Sequence, residues 1–304
     1  MNDTVHGHMV QDLLRHRFGS HDNLICKYSS KYPVQAEREF QRLTNAYIRI
    51  LNELLKEYLP EIWDAARAER EAGQRHDDAS DLIAKVKTVF SKMTVELERR
   101  TSMFGLRSKI ESMAKLTRKL SIREWKKAVK STLGIDLMDD YYTGELYRTM
   151  MERWVEDNVA LIKAIPQESL GRMRQIVLEG YRNGETTTAI VKQIQRTYSV
   201  DRRHAQLLAR DQIAKLNGNI TQQQQQDAGV VEYVWSTLGD SRVRPSHAAL
   251  NHKRFRWDDP PVVDEKTGRR CNPGMDYQCR CCALPVFNIK TVDLPVTKGG
   301  DGRG

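Results

Sequence analysis

Four of the five cysteines of this chain lie within twelve residues, from Cys271 to Cys282, and the run ends in Cys279-Arg280-Cys281-Cys282. Just upstream, Trp235-Ser-Thr-Leu-Gly-Asp240-Ser-Arg242-Val-Arg244-Pro-Ser-His247 gathers an indole, a carboxylate, two guanidiniums and an imidazole around a turn. Thiolate sulfur and imidazole nitrogen are the ligands of tetrahedral zinc, so His247, Cys271, Cys279 and Cys281 form a candidate structural zinc set. A Cys-x-Cys pair on an extended segment sends both thiols to one face, which turns Cys282 away. The spacing departs from the paired knuckles of a zinc finger. The same residues also read as small buried side chains in a tight module, with His247 bonded to backbone. Asp240 follows Gly239 in a turn and is placed to accept backbone N–H groups, while Arg242 and Arg244 reach carboxylates or carbonyls across the module.

Two reactive readings compete with these. A metal-dependent nuclease or toxin-like enzyme would use the His247/Cys cluster, but such sites need a further metal-binding histidine after the last cysteine pair. None follows Cys281. A thiol nucleophile, Cys279 or Cys281 with His247 as base, would have only Arg280 to activate it. No glycine-rich phosphate loop occurs. The residues therefore favour a protein that is not an enzyme.

The elements that must position this cluster are read from periodicity. Apolar residues from Phe40 to Tyr58 recur at three- and four-residue steps, and Pro60 should stop that helix before a second over 61–72. Asp81 caps a third helix running towards Arg100. Leu106 to Leu120 and Trp125 to Leu133 give two more, the second opened by a Ser121/Glu124 capping box and closed by Gly134. After a turn-rich join at Asp139–Gly144, helices are expected over 146–165, ended by Pro166, and over 169–181, ended by Asn183-Gly184. A short one follows to Tyr198, and a strong one starts at a cap, Asp201, and ends near Gly229. The Gln222–Gln226 run reads as a solvated helical end. At Val230 the period changes to two, the mark of a strand through Trp235, followed by short strands and turns.

The fold expected is thus mainly α with a small α+β C-terminal module: a bundle-like helical body followed by short strands and turns. Linearly, this gives a flexible arm over 1–34, a basic helical region over 35–134, further helices over 135–229, the Cys/His module over 230–290 and a disordered tail over 291–304. No run of 18 apolar residues exists to span a membrane. The first 21 residues lack the apolar core of a signal peptide. Clustered cysteines fit a reducing cytoplasm better than a disulfide framework.

The chain carries a formal charge of +9. Between Arg99 and Lys130 stand eleven Lys or Arg against Glu111 and Glu124, so this one segment matches the whole surplus. Lys115, Arg118, Lys119, Arg123, Lys126, Lys127 and Lys130 make a candidate nucleic-acid surface, or equally a solvated cationic face.

The C-terminal residues resemble the bacteriophage Mu F-like minor head, or head morphogenesis, proteins. The resemblance is carried by Trp235, Thr237, Asp240, Arg242, Arg244, His247, Leu250, Phe255, Pro273, Gly274, Cys279, Arg280, Cys281 and Pro285. It extends upstream through Asn158, Leu161, Ile162, Ile165, Pro166, Gly180, Gly184, Ala209, Arg210 and Gly229. About half of the chain is covered, from near Leu133 to Phe287. Asn251 stands where the family often has glycine, and Gln278 where asparagine commonly precedes the first closing cysteine. The resemblance implies a low-copy virion protein of the head interior or portal vertex, made in the host cytoplasm. Its implied partners are the portal protein, head and scaffold proteins, and double-stranded DNA bound without sequence preference. Some relatives carry an added C-terminal toxin domain, and the short stretch after Phe287 is expected to leave no room for one.

Overall fold

The computed structural model describes residues 4–5, 8–19, 21–71, 80–137, 144–294 and 296–297. It is mainly helical with a small strand module near the C-terminus. In chain order the elements are β1 (Thr4–Val5), α1 (His8–Phe18), β2 (Asn23–Ile25), α2 (Val34–Glu71), α3 (Ser80–Met103), α4 (Leu106–Leu133), α5 (Glu145–Arg182) and α6 (Thr187–Asp227). The remainder is β3 (Glu232–Ser236), α7 (Pro245–Ala248), β4 (Arg254–Arg256), β5 (Val262–Asp264), β6 (Arg269–Arg270), β7 (Cys282–Asn288) and β8 (Val296–Thr297).

The expected linear division does not hold. The chain forms two units that each draw on separate stretches: residues 1–37, 113–154 and 210–304 in the first, and 38–112 and 155–209 in the second. The described residues of the expected N-terminal arm are packed into the first unit. Val10, Leu14, Cys26 and Tyr32 are buried, and β2 pairs antiparallel with β7 through Asn23↔Asn288 to Ile25↔Val286. An apolar residue every three or four positions in α1 was too short a pattern to stand out in the sequence. Of the expected disordered tail, Val292 and Leu294 are buried and β8 pairs with β1; residues 295 and 298–304 lie outside the described residues.

Several expected breaks are absent. Pro60 lies inside α2 and Pro166 inside α5, although an interior proline costs about 3 kcal/mol of helix stability. The apolar face continues across each: Leu59, Ile62 and Ala66 are buried around the first, and Ile165, Leu170 and Met173 around the second. Packing on both sides outweighs the lost hydrogen bond. The capping box at Ser121/Glu124 is mid-helix in α4, and Ser121 Oγ instead meets Gln224 Oε1 at 3.3 Å. Asp201 is likewise interior to α6 and takes the Arg172 guanidinium at 2.6 Å; the helix is capped at Thr186, whose Oγ accepts the Ala189 N–H. In the glutamine run, Gln224 and Gln225 are buried rather than solvated, and Gln225 donates to Ala283 O at 2.9 Å. Gly134, Gly184 and Gly229 do close their helices.

The strand module belongs to the first unit. Four strands run in the order β2-β7-β3-β4, all antiparallel, and β5-β6 form a separate hairpin. The β3–β7 register, from Glu232↔Val286 to Ser236↔Cys282, separates two apolar sets. Val234, Leu284 and Val286 cluster together, while Tyr233, Trp235 and Ala283 join Trp257, Val263, Cys279 and Cys281. The period-two alternation read from the sequence is real, but both faces are covered, so it separates two cores rather than core from solvent.

Candidate functional site

His247 sits in the four-residue helix α7, which starts with Pro245 after the extended Arg244. Pro at the first helical position fixes the chain direction and so aims the imidazole inward. The ring meets Trp235 edge-on, at 5.5 Å between centroids and 85°. Cys279 and Cys281 lie in the segment leading into β7, and both thiols turn to the same ring nitrogen. Cys279 Sγ is 3.5 Å and Cys281 Sγ 3.6 Å from His247 Nδ1, and the three ligand atoms all lie within 4.8 Å of one another. The Cys281 N–H donates to Cys279 Sγ at 3.4 Å. Cys282 faces away, its thiol reaching Ser30 O at 3.5 Å. Cys271 packs against the same cluster but is outside the close group of three.

Asp276, which the sequence reading passed over, is the centre of the site. Its side chain has no solvent exposure, and Oδ2 lies 3.0 Å from His247 Nε2. The Arg244 guanidinium also donates to Oδ2, Arg269 lies 3.0 Å from Oδ1, and the Tyr277 N–H donates to Oδ1 at 2.9 Å. Arg244 makes a second bond to Tyr277 O. Burial works against the Asp276 carboxylate, yet these donors hold it below the usual carboxylate range. Asp276 is the lone carboxylate between Cys271 and Cys282. That was the signal available in the sequence.

Burial likewise works against a charged His247, but the Cys279 sulfur and Asp276 outweigh it and move the imidazole upward. Cys279 is lowered to about 5, first by its bond from Cys281 and then by His247, while the neighbouring thiolate and burial push Cys281 up. Burial raises Cys271 and Cys282 to about 12.

The remaining signature residues hold the frame. Asp240 accepts the Arg242 N–H at 3.1 Å and the Arg242 and Arg280 guanidiniums at 2.9 Å each, which ties the turn after β3 to the Cys-Arg-Cys segment. Pro273-Gly274 is a turn against α6. Gly274 has φ +84°, and a Cβ there would stand 3.3 Å from Ala214 O and from Gly218 Cα. Its lack of a side chain serves both the backbone angle and the close approach. Asn251 accepts the Thr237 N–H at 2.9 Å, and the positive φ angles among the described non-glycine residues belong to His252 (63°) and Gln278 (51°). The Gln278 N–H is held by Asp211 of α6 at 2.9 Å. Tyr233 and Asn272, also missed, bond at 2.9 Å beneath the cluster.

The cationic candidates separate by burial. Lys115, Lys119, Arg123 and Lys127 are exposed at four-residue spacing along α4, with Arg118 and Lys126 half-buried beside them, around a shallow groove floored by Leu120 and Ile122. Arg123 and Lys127 approach Glu124 at 3.5 and 3.2 Å, and Lys130 pairs with Asp136 at 2.9 Å. The earlier cations of the segment are not part of this face. Arg99 and Arg100 are neutralised on α3 by Glu96, and Arg107 by Glu111 and Glu156, in the second unit.

Residues 172–284, from α5 into β7, match the family described as phage Mu protein F like protein. Through this region the chain is similar to the Mu F-like family. The match contains every residue of the His247 cluster. An uncharacterized protein of Haemophilus influenzae is 29% identical over 160 residues, which cover 53% of this chain and 34% of that relative. The chain thus spans about a third of the length of the curated relative it matches. No solved structure matches. No helix among the described residues is long and apolar enough to cross a membrane.

Proposed function

We propose that this Mu F-like chain is a structural minor head protein of a tailed bacteriophage, acting at the portal and head interior in procapsid assembly and in packaging or delivery of DNA. The observation that carries the reading is the family match over the whole His247 cluster. The chemistry of the cluster agrees with a structural role. His247 is 2% exposed, Cys279 3% and Asp276 2%, so a nucleophile here has no open face for a substrate. Both imidazole nitrogens are already engaged.

The exposed cations of α4 support contact with packaged DNA, a dense polyanion, through phosphate alone and without base readout. Portal, head and scaffold proteins are the protein partners of this reading, and the virion its location.

Mass spectrometry of gradient-purified particles tests it, comparing full heads with ghosts emptied of DNA. The protein should be present in full heads at a copy number far below that of the major capsid protein. Absence from particles, together with heads that assemble normally without it, would overturn the proposal. Purified protein should leave DNA intact with magnesium, manganese or zinc, and cleavage abolished by His247→Ala would restore the nuclease reading.

A further inference from the structure

We propose that His247 Nδ1, Cys279 Sγ and Cys281 Sγ are three ligands of one tetrahedral zinc ion that locks the C-terminal module, with Asp276 as the outer-sphere partner that orients the histidine. The inference is independent of where in a virus particle the protein acts.

Distance carries the argument. With Zn–N near 2.0–2.1 Å and Zn–S near 2.3 Å, the nitrogen–sulfur edge of a tetrahedron is about 3.6 Å. The two such edges here are 3.5 and 3.6 Å. A neutral thiol and imidazole need only one such contact; two sulfurs converging on one nitrogen place all three atoms around a common centre.

Three further features belong to a metal ligand set rather than to a packed core. Histidine ligands commonly give their second nitrogen to a carboxylate, which fixes the tautomer and raises the basicity of the ligand, and Asp276 Oδ2 stands 3.0 Å from Nε2. The Cys281 N–H bonds Cys279 Sγ, a backbone donor to a sulfur that carries charge as a ligand. All five cysteines are free, so Cys279 and Cys281 are not spent on a disulfide. Sulfur donors select zinc over magnesium or calcium.

The three ligands come from two places, α7 and the approach to β7, and the ion would join them where the module has few backbone pairings. Cys271 is excluded from the set, because it does not close on the other three atoms. The fourth position falls to water or to another group.

The test uses the full chain purified without chelator. Elemental analysis should find about one zinc per chain, and exchange with Co2+ should give the intense ligand-field and thiolate charge-transfer absorption of a tetrahedral sulfur-containing site. Cys279→Ser and Cys281→Ser should each abolish the charge-transfer band or weaken it at least tenfold in cobalt affinity, and Cys271→Ser and Cys282→Ser should leave it. Chelation should lower the melting temperature of the wild-type protein, and added zinc should restore it. The wild-type measurements need no variant to fold. Folded wild-type protein that holds no zinc and gives no cobalt–thiolate spectrum would overturn the proposal. So would metal binding lost in Cys271→Ser and kept in Cys279→Ser.

Discussion

In the His247 cluster the Asp276 carboxylate has no solvent exposure and faces two guanidiniums and an imidazole, whereas on α4 Lys115 and Lys119 stand in solvent with no carboxylate beside them among the described residues. Both regions are dense in charge, and they spend it differently. Buried charges in the cluster are worth much because removing one strands the rest. Exposed charges on the helix are worth little to folding and are available to a partner. Sequence composition alone makes the two look alike.

The largest expected effect follows from stranding charges. Asp276→Ala leaves Arg244, Arg269 and His247 without their common anion, and a broken buried ion pair costs several kcal/mol. Because both guanidiniums are about a third exposed, the loss should lie near 3 kcal/mol, at the lower end of that range. Urea unfolding of the wild type and variant measures it. Asp240→Ala is the control, since the Asp240 carboxylate is 31% exposed where that of Asp276 is fully buried, and a comparable loss there would erase the distinction between buried and exposed charge.

Gly274→Ala should cost about 1–3 kcal/mol, the range for a residue held in a sparsely populated backbone region. The added methyl meets α6 at contacts of 3.3 Å. An unchanged melting temperature would show that the turn and α6 can part without loss.

Glu124 joins the two regions, for it lies on α4 but faces inward. It accepts the Tyr28 hydroxyl at 2.7 Å, the Lys31 N–H at 3.0 Å and the Lys127 ammonium at 3.2 Å. Burial alone would raise its pKa, yet these donors bring it below the ordinary value, and burial together with Glu124 pushes Tyr28 up to about 12. A depressed folded pKa means that ionised Glu124 stabilises the fold above the unfolded-chain value of about 4.3 and that this is lost as pH falls through the folded value. Glu124→Gln should therefore cost about 1–2 kcal/mol near pH 7, with the gap from wild type closing below about pH 4. A gap independent of pH would assign the loss to packing.

What was legible in the sequence follows the same line. The strand at Tyr233–Trp235, the helix ends at Gly134, Gly184 and Gly229, and the common face of Cys279 and Cys281 were all readable, because each rests on local backbone rules. Continuous α2, α5 and α6 were not, since packing beside Pro60 and Pro166 overrode the local signal, and Asp201 found Arg172 rather than a helix end. Asp276 was missed because nothing in its neighbours announces burial. Only the fold brings Arg244 and Arg269 to it. The charge surplus was counted over one segment from Arg99 to Lys130, and sequence distance hides that Arg99, Arg100 and Arg107 within it already have carboxylates.

The smallest effect on stability should come from the exposed face itself. Lys115→Gln with Lys119→Gln removes two cations that pair with nothing among the described residues, so stability should change by no more than about 0.5 kcal/mol. If these lysines meet phosphate, the slope of log affinity for duplex DNA against log salt should fall by roughly 0.9 for each one that makes a contact. Lys127→Gln makes the contrast, because it also takes a partner from Glu124 and should lower stability as well as affinity. Neutralising every cation of the face at once would therefore confuse two causes, and the exposed pair separates them. A double variant with unchanged salt dependence would show that DNA does not meet this part of α4, and the cationic face would then be a surface for an acidic protein partner.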